Sequence, residues 1–106
     1  MKQETTAPTL NGRQKQHLRG LAHHLEPVVH VGREGLSENL IRSARQALLA
    51  RELIKVKLGQ NCPLAKKEAA REIAQQTGAV LVQLIGKTII LFQPNPDLPR
   101  ERRIRL

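Results

Sequence analysis

A chain of 106 residues carries about one domain's worth of sequence, enough to bury a modest core. Its 18 Lys and Arg against nine Asp and Glu leave a formal charge of +9, an excess that favours polyanionic partners. No apolar run approaches the roughly 20 residues of a spanning helix, and the amphipathic stretches lack the Trp and Phe of an interfacial one. A membrane partner is therefore not expected.

In chain order, residues 1–10 read as a flexible leader. They hold no apolar core for a signal peptide. Asn11 is suited to cap a helix from about Gly12, with Leu18, Leu21, Ala22 and Leu25 at helical spacing and Pro27 as its stop. Val28 to Val31 is a short β-branched strand, broken by Gly32-Arg33-Glu34-Gly35.

A second helix is predicted from about Leu36 to Ala50, with Ser37 as cap and Glu38 in its positive first turn. Leu36, Leu40, Ile41, Ala44, Ala47 and Leu48 form its apolar face, and Arg42 and Arg45 point away from it. In the strand Leu53 to Leu58, Ile54, Val56 and Leu58 face inward, opposite Lys55 and Lys57. Pro63 suits the first turn of a third helix with Ala65, Ala69, Ile73 and Ala74 as its stripe, and Gly78 ends it.

Ala79 to Ile85 and Thr88 to Gln93 form a hairpin around a type II′ turn at Gly86-Lys87. Val80, Val82 and Leu84 are expected on one face, Leu81 and Ile85 on the other, with Ile89 and Leu91 alternating with Ile90 and Phe92. A hairpin apolar on both faces must be covered on both, so the first helix is expected to cross to the far side of the sheet. The fold is thus α/β, in the order α-β-α-β-α-β-β with a mixed four-stranded sheet. The domain spans 11–93, and 94–106 is a Pro- and Arg-rich basic tail in which Pro94, Pro96 and Pro99 forbid regular structure.

The loop Gly32, Arg33, Glu34, Gly35 is the leading candidate site. Two glycines three apart permit positive φ and close approach, and a loop leaving a strand to open a helix turns free amides toward an anion. Arg33 adds a charge-assisted contact from the tip. Arg13, Lys15, Arg19 and Arg42 are expected to extend the basic surface. The loop is neither a Walker A motif nor a dinucleotide fingerprint, lacking both the Gly-Lys-Ser/Thr ending and a third glycine.

Phe92 is the only aromatic besides histidine, so stacking of bases on an exposed sheet is excluded and phosphate contacts must dominate. His17, His23, His24 and His30 have no metal-ligand spacing, and the adjacent pair is expected to diverge on a helix. No catalytic set emerges, so no enzyme activity, metal, cofactor or small-molecule substrate is expected. The lone Cys62 permits no internal disulfide, which suits a cytoplasmic protein.

The run Lys15-Gln16-His17-Leu18-Arg19-Gly20-Leu21-Ala22-His23, then Pro27-Val28-Val29, resembles the opening of the CRM domain. This is the chloroplast RNA splicing and ribosome maturation family, whose single-domain bacterial members are YhbY-like. The resemblance continues through Val31 to Ser37, Glu52 to Lys57, Thr77-Gly78-Ala79 and Val82 to Lys87, covering roughly residues 12–93. It implies a fold like the C-terminal domain of bacterial translation initiation factor 3, and RNA binding through Gly32 to Gly35 with Arg13, Lys15 and Arg19. It also implies association with precursors of the large ribosomal subunit, where ribosomal RNA is the expected partner; the chain is expected to act as a monomer. The alternatives are a general nucleic-acid binder or RNA chaperone without a ribosomal site, and an enzyme acting on RNA. Family members often end the last strand with Tyr-Arg where this chain has Phe92-Gln93, and often carry a small or amide residue where Glu34 stands.

Overall fold

The computed structural model describes residues 9–106, so most of the predicted leader lies outside the described residues. The elements follow the expected order: α1 (Gly12–Ala22), β1 (Val29–Val31), α2 (Glu38–Arg51), β2 (Leu53–Leu58), α3 (Lys66–Thr77), β3 (Val80–Ile85) and β4 (Thr88–Phe92). The four strands lie in the order β1-β2-β4-β3. β1 runs parallel to β2, and the remaining pairs are antiparallel.

The strand alternation creates two cores, one on each face of this sheet. Ile54, Val56, Leu58, Ile89 and Leu91 join Ile41, Ala44 and Leu48 of α2 and Ala69, Ala70 and Ile73 of α3. On the other face Leu53, Val82, Ile90 and Phe92 meet Leu18 and Ala22 of α1. The first helix therefore covers the far side, as a hairpin apolar on both faces requires.

Several boundaries differ from expectation for local reasons. α1 begins at a capping box, with the Asn11 side chain accepting from the Gln14 amide at 2.8 Å and Gln14 returning a bond at 3.1 Å. It ends at Ala22, well before Pro27. Leu21 is exposed, and Leu25, past the helix, still packs into the α1-side core. α2 starts at Glu38 rather than Leu36, because Ser37 is extended and its hydroxyl accepts from the Leu40 amide.

Pro63 is not in the first turn of α3. That helix starts at Lys66, after an extended and exposed Ala65, and the Pro63 ring lies instead against Gly35. In the hairpin, Gly86 has φ +58 and Lys87 does not, as a type II′ turn requires. The pairing slips between Leu81 and Gln83, which leaves Val82 as a bulge residue. One additional residue inverts everything after it. Leu84 therefore joins Leu81 in the α2–α3 core instead of sharing a face with Val80 and Val82. Beyond β4 the prolines do not exclude all regular structure, since Arg100–Arg102 makes one 3₁₀ turn.

Candidate nucleic-acid interface

The Gly32–Gly35 segment leaves β1 as a tight turn closed by the Gly35 amide donating to the Gly32 carbonyl at 3.0 Å. Of the two glycines that permit positive φ, only Gly35 adopts it, at +64°. The helix was also expected to open directly from the loop, yet Leu36 and Ser37 intervene. Gly35 is buried, and a Cβ there would meet the Pro63 ring at 3.4 Å. Gly32, Arg33 and Glu34 are exposed, and a Cβ on Gly32 would meet nothing within 4 Å. The two glycines thus have separate tasks: Gly35 makes the bend, and Gly32 keeps its outer side bare.

Strand register gathers two more loops at this end of the sheet. The Gly59 amide donates to the Val31 carbonyl at 2.8 Å, and the Leu58 amide to the Lys87 carbonyl at 2.8 Å. A small cleft beside them is lined by Gly59, Gln60, Cys62, Lys66 and Lys87. Lys66 and Lys87 were not among the sequence candidates. Each looks like an ordinary surface lysine until β1, β2 and the β3–β4 turn are aligned, which brings three loops distant in sequence to one edge.

Along α2, Arg42 and Arg45 line a second cleft with Leu36, Glu38, Ile41 and Gln76. Arg45 donates to the Gln76 carbonyl at 2.6 Å, satisfying an orphan carbonyl at the end of α3 and joining the two helices. Arg42 remains exposed, its nearest bond a long 3.4 Å contact to Asn39. The structure therefore groups Gly32, Arg33, Glu34 and Gly35 with Lys66 and Lys87, with Arg42 further along the helix that follows.

Arg13, Lys15 and Arg19 lie elsewhere, on the helix across the sheet. Arg13 is exposed beside His17, Arg105 and Leu106, while Lys15 and Arg19 are half-buried. Lys55 is tied to the Leu25 carbonyl at 3.0 Å, whereas Lys57 is exposed. His23 and His24 do not diverge: they follow the last helical turn, with rings edge to face at 5.3 Å. Replacing Arg13, Lys15 or Arg19 singly by Gln is expected to change RNA affinity little. Each should flatten the slope of log affinity against log salt by about one phosphate's worth, measurable by fluorescence anisotropy across a salt series.

The profile of the CRS1 / YhbY (CRM) domain matches residues 10–93. The chain is 43% identical to the Bacillus subtilis protein named Probable RNA-binding protein YqeI, over 83% of this chain and 92% of that one. It is 41% identical to a Haemophilus influenzae protein named RNA-binding protein, over 88% of this chain and 98% of the other. The solution structure of Staphylococcus aureus SAV1595, described as a candidate RNA-binding protein, superposes with a TM-score of 0.74. That match is at 37% identity and covers 92% of this chain and all of SAV1595.

Proposed function

The chain belongs to the CRS1 / YhbY (CRM) domain family, and from that premise we propose that it binds RNA and acts as an assembly factor on large-subunit ribosomal precursors. In this reading the Gly32–Gly35 turn admits a phosphate against its bare backbone, and Arg33, Lys66 and Lys87 neutralise the neighbouring charge. The observation that carries it is the Gly32 position, where a side chain would occupy open space beside an exposed guanidinium and two lysines share the same end of the sheet. Relatives named as RNA-binding proteins support the choice of polymer.

The chemistry is that of a binding module. With stacking surfaces scarce, affinity comes from phosphates and released counterions, so it falls steeply with salt. Discrimination comes from the shape of a folded RNA rather than from base edges. The test is competition at matched salt between large-subunit ribosomal RNA and duplex DNA, with sedimentation of the protein in extracts at low salt. A preference for the RNA of about tenfold, a difference of about 1.4 kcal/mol, together with co-migration with large-subunit precursors, is expected. Equal affinity for both polymers and migration only in ribosome-free fractions would replace this reading with that of a general nucleic-acid binder.

A further inference from the structure

The segment after β4 lies outside the family match, yet it is fastened to the domain at several points. Glu52 is buried between α2 and β2, and its two carboxylate oxygens accept from the backbone amides of Asn95 and Ile104, each at 2.6 Å. The Asn95 side chain donates to the Leu49 carbonyl at 2.8 Å. Ile104 packs against the α1-side core, and the His17 Nε2 donates to the Arg105 carbonyl at 3.0 Å. One carboxylate thus closes a loop running from Asn95 to Ile104.

This fastening sets Arg100, Arg103 and Arg105 around a cleft of about 720 Å³ floored by Glu52 and Asn95. Arg13 of α1 lines the adjoining hollow with Arg105. Guanidinium groups present paired N–H donors suited to phosphate oxygens. Holding their backbone in advance lowers the ordering cost of binding. Glu52 directly precedes β2 and the loop end directly follows it, so the two basic regions are separated by that strand's six residues, roughly 20 Å.

We propose that the docked C-terminal segment is a second phosphate-binding face for RNA, with Arg100, Arg103 and Arg105 held in place by the Glu52 clamp and joined by Arg13. It rests on the reading that the chain binds RNA. Two contacts on one rigid body make the second engagement intramolecular, which raises overall affinity beyond either face alone.

The test measures binding of the full chain to one large-subunit ribosomal RNA fragment by anisotropy across a salt series. The triple variant Arg100→Gln, Arg103→Gln, Arg105→Gln alters only exposed side chains. It is expected to lose about tenfold in affinity and to flatten the salt slope by about two phosphates' worth. Glu52→Gln provides an opposite-sign check. It makes the protein more positive, so attraction by charge alone predicts equal or tighter binding, whereas a cleft that needs its clamp predicts weaker binding.

Unchanged affinity and slope in the folded triple variant overturn the proposal. Equal or tighter binding by a folded Glu52→Gln overturns the role of the clamp. Gly32→Asp measured on the same RNA separates the two faces. Loss there with no loss in the triple variant leaves the loop reading standing and removes the tail, and the converse removes the loop and keeps the tail.

Discussion

Gly32→Asp is expected to weaken RNA binding by at least about thirtyfold, or ~2 kcal/mol, while leaving the melting temperature unchanged. The new side chain enters open space, and Gly32 has no positive φ, so the fold loses nothing. A carboxylate then stands where a phosphate would approach, and apposed like charges cost on the order of kilocalories. Gly32→Ala gives the graded control: its methyl obstructs approach without adding charge, so an intermediate loss is expected.

Gly35 tests something else. At φ +64 and against the Pro63 ring, Gly35→Ala is expected to cost about 1–2 kcal/mol of stability before binding is considered. Replacing both glycines by Asp therefore mixes a folding defect with a binding one. Anisotropy titrations paired with thermal melts of the single variants resolve the two. A folded Gly32→Asp protein with wild-type affinity removes the loop from the binding mechanism.

Glu52→Ala is expected to destabilise the fold by about 3 kcal/mol, since two amides lose a charged acceptor and are left without it. The position has a further constraint. α2 ends at Arg51 and β2 begins at Leu53, so Glu52 alone turns the chain from helix to strand, at φ +67. Positive φ costs an L-residue about 1–2 kcal/mol, and glycine avoids it. Glu52→Gly should therefore be less damaging than Glu52→Ala despite losing the same carboxylate. Urea unfolding midpoints provide the comparison, and an alanine variant within about 0.5 kcal/mol of wild type would contradict the clamp.

The sequence discloses much of this architecture through periodicity. The alternation in Ile89 to Phe92, apolar on both faces, is sufficient to require helices on both sides of the sheet, and they are there. The helix boundaries it misses shift for local reasons, whereas its larger failures depend on pairing between distant segments. The bulge at Val82 leaves no local mark, because an added residue shows only against a partner strand. Nothing local marks Glu52 for burial, since its partners are the distant backbone amides of Asn95 and Ile104.

The candidate site divides in the same way. Gly32 to Gly35 stand out as a loop, yet nothing local shows that Gly35 alone makes the bend, at positive φ and beside the Pro63 ring. Lys66 and Lys87 acquire significance only through the strand register. The separation of Arg13 from the loop follows from α1 lying on the far face of the sheet.

The two-sided sheet also imposes an order on how the molecule can be assembled. α1 precedes the other elements of the fold, and of the residues it packs against, Val82, Ile90, Phe92 and Ile104 lie far downstream of it. During synthesis Leu18 and Ala22 thus have only Leu53 among the other buried residues of their core until β3 and β4 are made, whereas β1, α2 and β2 can already bring Val31, Ala44, Leu48 and Val56 together. Maturation should then proceed in two stages, with closure of the amino-terminal helix as the later one.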